Sequence, residues 1–356
     1  MINATTARLF AGTGRLLRNA GFGGSALCLS AALALSSMAA PARADDTVTI
    51  VIGSTAPHDF ILYVAEQAGF FAEEGLKPDI VPVNNGAGQT SAILGGSADI
   101  GFLGITQDIR AVSQGGDMVI LGRAFDVLSL PIILSEDAKT RQGITDDMPI
   151  GEKLARLKGL TIGATGPGST TDGILRALIT SAGMNPDTDI TIHSSNAPAL
   201  FAAFENKAID GFVFGSPWME VAQVKGLGGP LFDPFKGEVP ELDGVLYKVL
   251  STSRATLAAK PDLLLRSMRA LDKAIVYIRE NPDKLDELLR PKFPDMDPTA
   301  YEMMIARYVG GVPDGLLVTE AQFDRAKEYM AFVEGTEVSV SYGDVVDTAL
   351  VGQLGK

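Results

Sequence analysis

Cysteine is all but missing from this chain. Its 356 residues contain one, Cys28. An intrachain disulfide and a thiolate metal cluster are therefore excluded. Histidine is nearly as scarce, with only His58 and His193. Two histidines without a His-x-x-His or His-Glu pattern make a poor zinc site. A serine hydrolase triad would have to use one of them, and no Gly-x-Ser-x-Gly elbow is present. There is one tryptophan, Trp218, and aromatic residues make up 7% of the chain. Bases are also outnumbered, with 30 Lys and Arg against 43 Asp and Glu. Such a surface repels nucleic acid and anionic membranes, so neither is expected as a partner. A small anion in a sheltered pocket is not excluded, because a pocket sets its own local field.

The first 44 residues read as a secretory leader. Arg8, Arg15 and Arg18 form a basic start without acids, GSALCLSAALALSS is a short apolar run, and Ala42-Arg43-Ala44 is a small-x-small cleavage signal. Cys28 lies inside that run, so cleavage after Ala44 would leave a mature chain with no cysteine at all. Removing the leader's four arginines leaves 26 bases against 43 acids, a formal net charge of −17. No later segment reaches the ~20 apolar residues that a membrane span requires. The expected product is an exported, periplasmic, monomeric protein large enough to bury a core without disulfides.

From Asp45 onward, strand-like and helix-like stretches alternate. TVTIVIG is β-branched and ends in glycine, and HDFILYVAEQAGFFAEEG carries Phe60, Val64 and Phe71 on one helical stripe. KPDIVPV, ADIGFLG and DMVILGRAF continue as strands, with QTSAILGG and ITQDIRAVSQGG as the helices between them. The layout then returns as LKGLTIGATG, STTDGILRALITSAG, DITIHS, APALFAAFENK, IDGFVFG and SPWMEVAQVKG. ILGGSADIGFLG (93–104) and FENKAIDGFVFG (204–215) echo one another: a helix end, an acid, Gly-Phe, and a closing glycine. Alternation of this kind predicts parallel-rich sheets covered by helices, an α/β protein with two lobes. Segments 130–136 and 246–254 are expected as the two links. One lobe then comprises residues 45–133 and 247–356, and the other 134–246. Beyond Pro261 the sequence reads as helices packed on the outside of the first lobe, with Pro261, Pro282 and Pro298 at helix starts.

Ligands of open parallel sheets bind beyond the carboxyl ends of the strands, where helix N-termini point. ATGPGSTTDG (164–173) is the most suggestive such loop. It lacks the lysine of a P-loop and the spacing of a dinucleotide fingerprint, so no nucleotide cofactor is expected. Ser169 is positioned to cap the following helix, with Asp172 three residues on. Thr170 and Thr171 add uncharged donors at a helix start, which suits reversible capture of an anion. On this reading the two threonines can be replaced by valine with little effect on stability. Other cleft candidates are Ser54 and His58 after the first strand, and Ser216 as a cap with Pro217 at the first helical position. Trp218 would be either a flat ligand wall or core filler. Arg123 is the single arginine candidate. Asp108 and Glu220 are acids able to meet a ligand amine. His58 is the best base for a rival enzymatic reading, and no metal or catalytic residue is otherwise expected.

LYVAEQAGFFAEEGL (62–76), GQTSAILGGSADIGFLG (88–104) and GATGPGSTTDGILRAL (163–178) resemble the nitrate/taurine/aliphatic-sulfonate substrate-binding proteins of ABC importers. That family also includes binders of thiamine pyrimidine precursors. The likeness spans about Thr47 to Arg254. It implies a type 2 periplasmic-binding-protein-like clamp closing on one small solute, with an ABC permease as partner. It places ligand contacts at GSTAPHDF (53–60), Gln89, Thr90 and Thr106 in one lobe, facing Ser169, Thr170, Thr171, Ser216 and Trp218 in the other. The cysteine-rich motif of the pyrimidine synthases is absent.

Overall fold

A computed structural model describes residues 45–83, 86–167 and 169–354. The leader, its cleavage signal and Cys28 lie outside the described residues, as does Gly168 of the suggestive loop. Ten strands build two five-stranded sheets. The first contains β1 (Asp46–Ile52), β2 (Leu76–Pro82), β3 (Ile100–Gly104), β4 (Met118–Phe125) and β10 (Lys248–Ser253), in the order β2-β1-β3-β10-β4. The second contains β5 (Ile132–Ser135), β6 (Thr161–Ala164), β7 (Thr191–Ser194), β8 (Gly211–Val213) and β9 (Gly228–Pro230), in the order β7-β6-β8-β5-β9. In each sheet four strands run in one direction and one, β10 or β5, runs antiparallel between two of them.

The two stretches expected as links are thus strands. Ile132, Ile133 and Leu134 are wholly buried, and all six residues of β10 are buried. Apolar and hydroxyl side chains of this kind bury in a sheet interior, whereas exposed linkers are polar or glycine-rich. The boundary expected between 133 and 134 falls inside β5, all of whose residues pair in the second sheet.

The echoed sequences hold equivalent places. β3 and β8 each lie between a parallel neighbour and the antiparallel strand. The acid before each does the same work. Asp99 accepts from the Thr49 amide at 2.9 Å while its own amide donates to the Thr49 carbonyl, and Asp210 does the same with Thr161. Each acid also pairs with a base, Lys260 or Arg141. Gly211 is required by close packing, since a Cβ there would lie 2.5 Å from the Ile133 carbonyl oxygen.

Helix Pro261–Glu280 buries Leu264, Met268, Leu271, Ala274, Ile275 and Ile278 against helix Phe60–Gln67. Its apolar residues recur every three or four positions, as one core-facing stripe requires. The later helices do more than coat the first sheet. Helix Pro298–Tyr308 packs on helix Trp218–Val224, and helix Glu320–Glu334 packs on both Thr170–Ser181 and Ile105–Ser113. Pro261 and Pro298 stand at helix starts, while Pro282 opens a 3-10 turn ahead of helix Leu285–Leu289.

Candidate functional site

The carboxyl ends of β1 and β3 and the start of β10 converge on one polar cluster. After β1 the chain turns through Ser54, which is exposed, into a 3-10 turn, Pro57–Asp59. The His58 ring meets Tyr247 edge-on, with centroids 5.2 Å apart. Burial, aided by the nearby Lys248 cation, holds the His58 imidazole well below its usual pKa and hence neutral near pH 7. Asp59 beside it is fully buried, and neither carboxylate oxygen has a hydrogen-bond partner. His58 Nε2 lies 3.8 Å from Asp59 Oδ2, too far for a hydrogen bond. Burial raises the Asp59 pKa to about 7, against the pull of Lys248.

Lys248 enters from β10. Its Nζ donates to the Phe102 carbonyl at 3.3 Å and lies 5.2 Å from the Tyr247 ring centre. Gln89 donates to the same carbonyl at 3.1 Å and to that of Val51 at 3.4 Å, so its amide clamps β1 to β3. Thr90 and Thr106, on helices Gly86–Leu94 and Ile105–Ser113, are half-buried. Lys248 and Tyr247 are members that the sequence reading does not flag as site residues, and Asp59, although inside the stretch 53–60, is not singled out by it. A lysine inside the otherwise apolar strand LYKVLSTS was the available signal, since a charged side chain there must be paired or put to use.

In the second lobe, Ser169 caps helix Thr170–Ser181 by accepting from the Asp172 amide at 3.2 Å. Gly166 has φ +124°, a conformation that favours glycine. Thr170 is half-buried at the first helical position. Thr171 differs from expectation: its hydroxyl accepts from the Thr165 amide at 2.9 Å and bonds Thr165 Oγ1 at 2.7 Å and Ser169 Oγ at 3.1 Å. It holds the loop closed. Ser216 is not a cap either. Pro217 precedes helix Trp218–Val224, the Ser216–Pro217 peptide is cis, and Ser216 Oγ donates to Glu220 at 2.6 Å. Trp218 packs on Phe201 with centroids 5.2 Å apart and stays half-exposed.

Between the lobes, the Tyr308 hydroxyl donates to Ser129 Oγ at 3.0 Å and accepts from the Ser216 amide at 3.2 Å. Gly215 permits this approach, because a Cβ there would lie 2.2 Å from the Ser129 carbonyl oxygen. Glu220 and Asp108 are fully buried, bonded to Ser216 and Ser251 respectively. Arg123 turns to Asp126, Asp314 and the Gly315 carbonyl. It lines a groove of about 440 Å³ with Leu316, Thr319 and Leu354. A second groove, of about 630 Å³, follows β9 past Lys139, Lys153, Gln223 and Arg307. Their bases are already bonded to neighbouring acids or carbonyls, so neither groove offers an uncommitted cation. His193 lies exposed in the edge strand β7. Among the described residues, no group of three or more His, Cys, Asp and Glu is placed to hold a metal, and no helix is long and apolar enough to cross a membrane.

Residues 44–290 match the model of the NMT1-like family. The chain belongs to that family. Among members and neighbours, the NMT1-like chain is 24% identical to YtlA of Bacillus subtilis, named as a binding protein, over 76% of its own length and 78% of that protein's. It is 25% identical to a 4-amino-5-hydroxymethyl-2-methylpyrimidine phosphate synthase of Aspergillus parasiticus, covering 64% of each chain. The structure of the alkanesulfonate-binding protein SsuA of Xanthomonas axonopodis pv. citri, bound to MOPS, shares its fold at TM-score 0.65 and 19% identity, over 85% of this chain and 98% of that one. The architecture is thus the periplasmic-binding-protein fold.

Proposed function

We propose that this NMT1-like protein is an exported solute-binding protein that captures a small organic solute between its two sheets and delivers it to an ABC permease. What supports this reading is the pair of like-ordered five-stranded sheets, each followed at strand ends by polar, largely uncharged loops. On this reading Ser54, His58, Thr90 and Thr106 of one lobe would be set against Ser169, Thr170 and Trp218 of the other. Helix starts rich in hydroxyls receive an anionic group without binding it irreversibly. Lys248 is the one cation of the cluster, and Arg123 is spent elsewhere. The ligand's acidic end would then be a carboxylate or sulfonate shared by hydroxyls and a single ammonium. The acidic surface argues against nucleic acid as a partner. Closure would run through the strands that join the lobes, with the protein acting as a monomer in the periplasm.

A thermal-shift panel of sulfonates, nitrate, carboxylates and pyrimidines tests the reading. A true ligand at a hundredfold excess over Kd adds about 2.7 kcal/mol of stability. A panel in which no member moves the midpoint would sink it. The enzymatic alternative rests on the neutral, partly buried His58. It requires turnover of a bound compound, lost in His58→Ala while binding persists.

A further inference from the structure

A carboxylate taken out of water without a partner carries a free-energy penalty that folding rarely leaves uncompensated. Most buried acids of this protein avoid it in part. Asp99 has the Thr49 amide and Lys260, Asp108 has Ser251, and Glu220 has Ser216. Among the described residues, Asp59 alone has both oxygens buried and unpartnered. The groups around it are engaged elsewhere. Tyr63 accepts from the Ala56 amide, Lys248 donates to Phe102, and His58 stops at 3.8 Å. The acid also sits in the loop after β1, at the carboxyl end of a first-sheet strand, in the same cluster as His58, Tyr247 and Lys248.

A polar group kept bare at such a place selects a ligand that completes it and rejects analogues that cannot. Building on the solute-binding reading, we infer that Asp59 determines specificity: the solute presents an N–H donor to it, as an amino, amidine or amino-heterocycle group. Lys248, close by, then serves the solute's acidic or acceptor end. A bare oxyanion such as nitrate, or an unsubstituted alkanesulfonate, meets an unrelieved carboxylate and is disfavoured by like charge.

Matched probes decide the matter. Taurine against ethanesulfonate, β-alanine against propionate, and 4-aminopyrimidine against pyrimidine are titrated calorimetrically into the mature chain and into Asp59→Asn. The inference expects the amino member of at least one pair to bind about tenfold tighter or more, with the preference abolished in Asp59→Asn. It also expects the unliganded Asp59→Asn variant to melt at the same temperature or higher at pH 8, because a bare buried carboxylate has been removed. An Asp59 whose role is only to balance Lys248 gives the opposite: a lower midpoint with the preference intact. Binding of the amino-free members as tightly as their partners overturns the inference and leaves the solute-binding reading standing. Silence from every pair removes both.

Discussion

Two adjacent threonines on one helix start have different tasks. The buried Thr171 hydroxyl supplies the acceptor for the amide of exposed Thr165 across the loop, and Thr170 has no such duty. Thr171→Val removes the hydroxyl that bonds the Thr165 amide and hydroxyl and should destabilise by about 0.5–1.5 kcal/mol. Thr170→Val should leave the melting temperature unchanged while weakening ligand binding some five- to hundredfold, if its hydroxyl meets the solute. Denaturant melts and calorimetry on the two variants separate the tasks. Equal stability losses in both would show that the pair is purely structural. The sequence revealed the cap at Ser169, because a hydroxyl three residues ahead of an acid is a local pattern. It hid the role of Thr171, which depends on how the loop folds back on itself. Asp59 was hidden for a related reason: burial of a charge is decided by distant residues, here Lys248 and Tyr247. A second residue-scale test uses Asp108, whose pKa burial lifts to about 7 although Ser251 donates to it. A folded-state value above the unfolded 3.8 means that the protonated acid favours the fold. That stability is complete below about pH 4 and is lost as pH rises through 7. Asp59 adds the same sign, His58 the opposite sign below its usual range, and Lys248 the opposite sign at alkaline pH. Between pH 6 and pH 8, Asp108 alone should account for a loss of stability on the order of 1 kcal/mol. Asp108→Asn should remove that share of the slope, and an unchanged slope would assign it elsewhere.

The elements that were legible were those with a period. The β-branched runs closing on glycine stand where the sequence puts them, and the echoed Asp/Gly-Phe segments occupy equivalent strands β3 and β8. The single helix expected over HDFILYVAEQAGFFAEEG is instead broken at Gly69, φ +81°, into Phe60–Gln67 and Phe70–Glu73, so Phe71 sits on a different helix from Phe60 and Val64. Strands β5 and β10 escaped because a buried four- to six-residue apolar run carries no alternation to read. The last helices escaped in part because each covers two neighbours. Helix Glu320–Glu334 reaches from Ile105–Ser113 of the first lobe, tied by Arg110 to Glu334, across to Thr170–Ser181 of the second. It lies so close there that a Cβ on Gly173 would come within 2.6 Å of Val333 Cγ1. Gly173→Ala should therefore destabilise by about 1–3 kcal/mol through overpacking. Gly173→Ala with Val333→Ala should recover part of the loss, a coupling that a double-mutant cycle reads directly. Strict additivity would mean that the two helices do not touch as described.

Residues 44–356 form one compact unit in which the C-terminal helices and the Tyr308–Ser129–Ser216 contacts tie one sheet to the other. The proposed closure about β5 and β10 would have to work within those ties, so a modest rotation is expected and a wide swing is not. Ligand contacts in both lobes would favour the closed form over the open one, and only that difference in affinity can drive the change. Solution X-ray scattering of the mature chain, free and saturated with the compound that most raises its melting temperature, puts the claim to its most direct test. The account predicts a smaller radius of gyration with ligand bound. An identical profile at saturation would contradict the clamp.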